Sequence, residues 1–125
     1  MFSRMKSINK IDLSHNLLNG SITVDLLKNL TNLERLYISW NKFSGVIPTS
    51  LGYFTKLLGL LLDHNPISGT IPQELGKLAL IQYLKLDSTH VYGRPPSSFC
   101  NLPLQALFLN SENCYLPCLK GSFIS

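Results

Sequence analysis

Asparagines recur in this chain at a nearly constant interval, each at the end of the same apolar phrase. Asn16, Asn41 and Asn65 are 25 and 24 residues apart, and another 24 residues lead to Thr89. The apolar residues of the successive phrases are Ile8, Ile11 and Leu13; Leu33, Leu36 and Ile38; Leu57, Leu60 and Leu62; Ile81, Leu84 and Leu86; and, in a shorter fifth copy, Leu104, Leu107 and Leu109. Five registered copies of one phrase predict a chain of stacked, similar coils.

Each phrase also predicts a short β-strand. Its last two apolar residues are separated by one position, which is the period of a strand with one buried face. If every coil adds one strand, the strands stack in parallel about 4.8 Å apart and their leucines form a continuous core. We expect the asparagine side chains to satisfy backbone groups of neighbouring coils, as a structural ladder of Asn16, Asn41 and Asn65. The leucine content, 25 of 125 residues, is therefore periodic.

The second half of each of the first four copies contains a glycine, followed in three of them by a proline, with G-R-P-P over residues 93–96 in the fourth copy. The motif is G-V-I-P over residues 45–48 and G-T-I-P over residues 69–72. Glycine permits a turn and proline blocks a helix, so this arc should be extended or irregular. Apolar residues then follow at intervals of three, as in Leu51, Phe54 and Leu57, which predicts one short 3₁₀ or α-helical turn.

These features define a fold class and a domain division. The phrase is that of leucine-rich repeats, and the fold class is an α/β-type solenoid of about five coils. We expect a short parallel sheet on the concave side and an irregular or 3₁₀ convex side. The repeats span residues 1–110 and start in the middle of a repeat, whereas residues 111–125 form a C-terminal cap and tail. With 14% charged and 45% hydrophobic residues, the composition excludes an intrinsically disordered chain.

Two stretches, LYISWNKFSGVIPTSLGYFTKLLGL and LLLDHNPISGTIPQELGKLALIQYL, resemble the plant-specific subclass of leucine-rich repeats. This subclass forms the ectodomains of plant receptor-like kinases and receptor-like proteins, and the polygalacturonase-inhibiting proteins. The resemblance covers residues 2–109, and the G-x-I-P motif is its most specific part. It implies a curved solenoid that binds proteins, peptides or small ligands on its concave face or flanks.

The first apolar residues indicate that the chain begins inside a repeat. Phe2, Met5 and Ile8 have the three-residue spacing that elsewhere follows the G-x-I-P motif. Because a solenoid needs caps on its open ends, the sequence favours the C-terminal part of a longer receptor-like or inhibitor-like array. The alternative is a structural or assembly role, in which the uncapped first coil pairs with another chain, including a second copy of itself.

Charge and hydropathy limit the location and the partners. Arg4, Lys6 and Lys10 interrupt any apolar stretch near Met1, so no signal peptide is predicted at this start. The resemblance implies an extracellular or membrane-attached location within a longer precursor, whereas a true start at Met1 would imply the cytoplasm. The longest apolar run, residues 57–62, is too short to cross a bilayer, and the basic residues are scattered singly. We expect neither membrane insertion nor a nucleic-acid partner.

Three cysteines and two sequons suggest covalent modification. Cys100 precedes the last predicted strand, so a disulfide to Cys114 or to Cys118 would close a C-terminal cap, and the sequence leaves both pairings open. Free thiols are the alternative in a reducing compartment. The N-x-S/T sequons at Asn19 and Asn29 fall on the expected outer arc, where glycans would fit on a secreted chain.

Side chains that alternate with the strand leucines should point out of the concave face and form columns across the coils. Their middle is aromatic and apolar, and their rim is charged. Such patches mark interaction sites, and aromatic residues with arginine are typical anchors of protein interfaces. The candidate ligand-binding residues are Arg35, Tyr37, Trp40, Leu61, Asp63, His64, Tyr83, Lys85, Asp87 and Phe108. The alternative is that these side chains only stack on one another and stabilise the sheet.

The same face contains the residue types of a hydrolase, but not in a catalytic pattern. Serine, histidine and aspartate occur at Ser39, His64 and Asp63, yet neighbours such as Asp63 and His64 leave a strand in different directions. The chain has no G-x-S-x-G motif, and its glycines follow the repeat period instead of forming a phosphate loop. A metal shared by His15 and His64 would have to bridge two coils, about 10 Å. We therefore expect a non-enzymatic recognition module without catalytic residues, cofactor or metal, whose partner is a protein or peptide.

Overall fold

The chain forms a solenoid of short strands and 3₁₀ helices. The computed structural model describes residues 7–110 and Cys118. Within this part, the strands are β1 Lys10–Asp12, β2 Asn19–Ser21, β3 Arg35–Tyr37, β4 Lys42–Val46, β5 Gly59–Leu61, β6 Ile67–Thr70, β7 Tyr83–Lys85, β8 His90–Tyr92 and β9 Ala106–Phe108. The 3₁₀ helices are η1 Asp25–Leu27, η2 Thr49–Tyr53, η3 Gln73–Lys77 and η4 Ser97–Asn101. Each of the first four coils thus contains two strands followed by a 3₁₀ helix.

The odd-numbered strands form the predicted concave sheet. Their order is β1-β3-β5-β7-β9, and every neighbouring pair is parallel. The register pairs the central apolar residue of each strand with that of the next coil, as in Leu36 with Leu60 and Leu60 with Leu84. One strand per coil with its leucines inward confirms the fold that the repeat phrase predicts.

A second parallel sheet occupies the arc for which the sequence predicts only extended or irregular chain. It has the order β2-β4-β6-β8. A glycine with positive φ lies within β2, β4 and β6 and directly after β8, for example Gly69 at 84°. A Cβ on Gly69 would lie 3.0 Å from Val46 Cγ1 of the preceding coil, so the glycine also permits close stacking of these strands. The G-x-I-P motif, which does not alternate apolar and polar residues, gives no strand signal of its own.

The convex side consists of the four 3₁₀ helices, and no α-helix occurs among the described residues. The sequence predicts a short 3₁₀ or α-helical turn here, and the structure has the tighter 3₁₀ type. Pro48 and Pro72 immediately precede η2 and η3 in extended conformation, which places the helix start after the proline. Leu51 and Leu75 on these helices are buried against the leucines of the concave sheet.

The core is continuous through the middle coils and open at the first. Leu33, Leu57 and Ile81, which begin successive phrases, are completely buried. In the first coil, by contrast, Leu13 and Leu17 are exposed. The predicted boundary between repeats and cap, at residues 110 and 111, lies at the limit of the described range, and residues 111–117 and 119–125 lie outside it.

No helix within the described residues has the length and the apolar character that a membrane span requires.

Candidate ligand-binding face

The concave sheet has a hollow between its second and fifth coils. The hollow is a cavity of about 320 Å³ lined by Tyr37, Leu61, Tyr83, Lys85, Ala106 and Phe108. Tyr37, Leu61, Lys85 and Phe108 end consecutive strands of the sheet, so the parallel register places them side by side. Five of the ten candidate binding residues therefore line one cavity.

Small residues create this hollow. The first position of the odd strands is occupied by Lys10, Arg35 and Tyr83 in three coils, but by Gly59 and Ala106 in the other two. The Tyr37 ring lies over Gly59, where a Cβ would be 3.1 Å from Tyr37 Cε1. Gly59 thus determines where the Tyr37 ring lies. The sequence alone places Gly59 and Ala106 at this strand position, but it does not indicate that their small side chains leave a cavity.

Three rings stack along the edge of the same face. Trp40 lies between His15 and His64, with ring centroids 5.8 Å and 3.8 Å apart and interplanar angles of 14° and 10°. All three residues have positive φ, between 56° and 61°. They occupy the sharp turn between strand and asparagine, so the repeat brings one ring per coil to the same place. Trp40 remains 50% exposed.

Asp63 is the centre of a buried polar network. Its carboxylate is 2% exposed. Ser39 Oγ donates to Asp63 Oδ1 at 2.5 Å, and His64 Nδ1 lies 2.9 Å from Asp63 Oδ2. Burial raises the pKa of Asp63, but the hydrogen bonds from Ser39 and His64 and the charge of Lys85 together lower it further than burial raises it. Asp63 is therefore ionised at neutral pH and holds its neighbours in place.

The network does not have the arrangement of a hydrolase triad or of a free metal site. In a triad the histidine lies between serine and aspartate, whereas here Asp63 lies between Ser39 and His64. Ligand atoms of Asp63, His64 and Asp87 lie within 4.8 Å of one another. However, Asp63 accepts two hydrogen bonds, and the Lys85 ammonium is 3.7 Å from its Oδ2. These contacts occupy the positions that a cation would need, and we propose no metal there.

The ladder asparagines bind backbone groups of adjacent coils. Asn65 Nδ2 donates to the Ile38 carbonyl of the preceding coil at 2.9 Å, and its Oδ1 accepts from the Phe43 amide at 3.1 Å. Asn41 makes the corresponding bonds to Leu13 and Leu18. Within the part of the chain that the structure describes, Asn16 Nδ2 donates to the Leu13 and Ser14 carbonyls of its own coil and to no other coil. Asn110, which the repeat phrase does not identify as a ladder residue, donates to the Thr89 and Val91 carbonyls.

The remaining predicted residues are distributed over several surfaces. Arg35 is half-buried, with its Nη1 3.5 Å from Glu34 Oε2, and one buried oxygen of Asp87 has no hydrogen-bond partner among the described residues. Cys100 forms a disulfide with Cys118, whereas Cys114 lies outside the described residues. Both sequon asparagines are exposed: Asn19 begins β2, and Asn29 follows η1.

Known proteins share this architecture. The Leucine Rich Repeat family model matches residues 32–54 and 56–78. The plant peptide hormone receptor RGFR1, solved in complex with RGF2, is 35% identical, with a TM-score of 0.78 over 86% of this chain. A TDR receptor structure is 34% identical, with a TM-score of 0.79 over the same share. A chain of the BIR3–SERK2 complex from Arabidopsis thaliana is 32% identical, with a TM-score of 0.75 over 90%.

The match covers only part of these structures. This chain spans 17% of the RGFR1 chain, 19% of the TDR receptor chain and 62% of the chain from the BIR3–SERK2 complex. No curated protein sequence matches this chain.

Proposed function

Because this chain is a leucine-rich repeat protein that is structurally similar to the ectodomains of plant receptor kinases, we propose that it is a non-enzymatic recognition module. It binds a peptide or protein on its concave face, as part of a longer receptor-like or inhibitor-like array. RGFR1 was solved with RGF2, and BIR3 with SERK2, so both a peptide and a second ectodomain are reasonable partner classes. The candidate residues Arg35, Tyr37, Trp40, Leu61, Asp63, His64, Tyr83, Lys85, Asp87 and Phe108 belong to this proposal.

The observation that carries the proposal is an aromatic surface on a rigid sheet. Trp40 and Tyr83 are exposed, Tyr83 on strand β7 and Trp40 in the turn that follows β3. The parallel ladder fixes their spacing, so little conformational entropy is lost when a partner binds. Exposed aromatic side chains with cations beside them are the common anchors of protein interfaces.

A peptide-display selection against the whole chain tests this proposal. Peptides selected without reference to any surface should lose affinity by about tenfold or more on Tyr37→Ala or Trp40→Ala, as for an interface anchor. Tyr53→Ala is the matched control, because Tyr53 is 78% exposed on the convex helix η2. Titration calorimetry measures the affinities. Binding that is unaffected by both concave variants, or that depends on Tyr53, would overturn the proposal.

A second candidate function rests on the first coil. Leu17 is 77% exposed. An apolar cavity of about 190 Å³ opens between the first and second coils, lined by Ile11, Leu13, Ser21, Ile22, Thr23, Leu27, Leu36, Ile38 and Phe43. An apolar surface of this kind suits a structural or assembly role, in which the coil pairs with another chain.

Light scattering over a concentration series tests the second candidate. If the first coil mediates association, the molar mass should rise with protein concentration, and Leu17→Glu should abolish the rise. Tyr53→Glu introduces the same charge at an exposed apolar residue of η2 and should leave the association unchanged. A constant monomer mass at all concentrations would contradict self-association through this coil.

A further inference from the structure

We propose that the cavity between Tyr37 and Phe108 is a subsite for an aromatic side chain of the bound peptide, followed directly by an acidic residue that pairs with Lys85. This inference rests on the proposed recognition function and specifies the chemistry of its ligand. The occupant is an internal aromatic–acidic pair of an extended peptide, and not a peptide terminus or a free small molecule.

The size and lining of the cavity favour an aromatic side chain. At about 320 Å³ it is at the lower end of the volumes found for ligand pockets. Aromatic rings or aliphatic groups form most of its wall, with Tyr37 on one side, Phe108 on the other and Leu61 between them. Rings packed at an angle to one another attract each other beyond their buried area, and a wall of this kind therefore selects a planar apolar group.

The position of Tyr83 keeps the cavity open. Tyr83 Oη and Gln105 Oε1 are 3.0 Å apart, and this hydrogen bond ties the phenol to the neighbouring coil. Gly59 and Ala106 flank Tyr83 in the same column and place no bulky group over the hollow. The hollow is thus open in this structure, and a ligand can enter without displacing a side chain of the core.

The charge of the lining favours an acidic neighbour. Among the residues that the structure describes, Lys85 is the only charged one that lines the cavity, and its side chain is 33% exposed. Its Nζ lies 5.1 Å from the centroid of the Phe108 ring, so the ammonium stands beside the space where a ligand ring would lie. Asp63 does not line the cavity, so the charge that a ligand meets on its wall is that of the Lys85 ammonium.

Lys85 also retains capacity for a ligand. Its ion-pair contact to Asp63 is long, at 3.7 Å, and the Asp63 oxygens already accept bonds from Ser39 and His64. An ammonium group has three donors. A ligand carboxylate can therefore use the remaining ones without breaking the Asp63 network.

Capped tetrapeptides and the ¹⁵N-labelled chain test this subsite by NMR titration. The probes are acetyl-Gly-Phe-Asp-Gly-amide, its neutral counterpart with Asn in place of Asp, its counterpart with Ala in place of Phe, and acetyl-Gly-Phe with a free carboxylate. The Phe-Asp peptide should bind roughly two- to fivefold more tightly than the Phe-Asn peptide, as expected for a partly exposed ion pair. Shifted amides should cluster in β3, β5, β7 and β9, the strands that line the cavity. The Ala-Asp peptide should not bind.

Two variants and a matched control test whether the charge of Lys85 and the space above Ala106 determine peptide binding. Lys85→Met should make the affinities of the Phe-Asp and Phe-Asn peptides equal. Lys77→Met, which removes the same charge from an exposed residue of η3, should preserve the difference in affinity. Ala106→Leu fills the hollow and should weaken the binding of both peptides. The Lys85 comparison stands even if Ala106→Leu does not fold.

The possible results separate the subsite from the general function. Equal affinity of the Phe-Asp and Phe-Asn peptides, or shifts outside these strands, overturns the subsite. If acetyl-Gly-Phe with a free carboxylate binds more tightly than the Phe-Asp peptide, the cavity takes a peptide terminus and the proposed occupant is wrong. Display-selected peptides that require Trp40 while no tetrapeptide binds would overturn the subsite and leave the recognition function intact.

Discussion

At the scale of single residues, the ladder asparagines join one coil to the next. Asn65 is buried and binds backbone groups of the preceding coil through both ends of its amide. Alanine at this position would leave the Phe43 amide without its acceptor, whereas the Ile38 carbonyl would keep its bond from Asn41. An unsatisfied buried donor costs about 1–3 kcal/mol.

We therefore expect Asn65→Ala to lower the free energy of unfolding by about 1–3 kcal/mol, as measured by urea denaturation. Asn16→Ala is the matched control, because Asn16 is exposed and its hydrogen bonds to Leu13 and Ser14 stay within its own coil. It should cost less than about 1 kcal/mol. Equal losses for the two variants would show that the ladder does not stabilise the fold by linking coils.

The buried carboxylate of Asp63 predicts a specific acid sensitivity. Its pKa is lower in the folded chain than in the unfolded chain, so its ionised form contributes stability above the unfolded pKa, and this contribution is lost as the pH falls through the folded value. Asp63→Asn should therefore be less stable at pH 7 and should lose less stability than the wild type between about pH 5 and pH 2.

Thermal unfolding over a pH series measures this difference. Asp12→Asn serves as the control, since Asp12 is exposed on the same face and its pKa is lowered mainly by the Ser14 backbone amide. Solvent screening makes the Asp12 contribution small, so its pH profile should remain close to that of the wild type. Parallel profiles for Asp63→Asn and the wild type would contradict the role assigned to the network.

At the scale of elements, the stacking of the convex helices depends on a glycine. A Cβ on Gly52 in η2 would lie 2.5 Å from the Glu74 carbonyl oxygen in η3, which is backbone and cannot rotate away. Gly52→Ala should therefore destabilise the chain by about 1–3 kcal/mol, as overpacking does.

Differential scanning calorimetry of Gly52→Ala and Thr55→Ala tests this prediction. Thr55 is exposed just after η2, and its substitution should change the stability by less than about 0.5 kcal/mol. An unchanged melting temperature for Gly52→Ala would mean that the helices move apart without cost.

The elements also show what the sequence can and cannot predict. The concave sheet was predictable because Leu36, Leu60 and Leu84 recur at strand spacing and one fixed interval. The second sheet was not, because strands such as β6 gain their regularity from hydrogen bonds between coils and not from an apolar alternation. The columns of the concave face identify Tyr37 and Phe108 as neighbours of one surface, but the hollow between them depends on the position of the Tyr37 ring over Gly59, which no residue pattern encodes.

At the scale of the whole molecule, a solenoid distributes its stability unevenly. A middle coil is covered on both sides, whereas Leu13 in the first coil is exposed. The amides of Leu13 and Leu62 donate to the next coil at similar distances, 2.8 Å and 2.9 Å. Their bonds are equivalent, and only their positions along the solenoid differ.

We therefore expect the protection factor of the Leu62 amide, measured by hydrogen exchange with NMR, to be at least about tenfold higher than that of the Leu13 amide, after correction for intrinsic rates. The disulfide between Cys100 and Cys118 constrains the opposite end. Similar protection at Leu13 and Leu62 would indicate that the chain opens as one cooperative unit rather than from its first coil.

The ring stack on the concave edge also allows binding to be followed by intrinsic tryptophan fluorescence. Trp40 is the only tryptophan in the sequence, and its indole lies 3.8 Å from the His64 ring and remains half exposed. Its emission therefore arises from one position on the candidate binding face. A ligand that covers Trp40 will shift that emission to shorter wavelength, and a ligand bound on the convex side will not, so one unlabelled titration distinguishes the two surfaces.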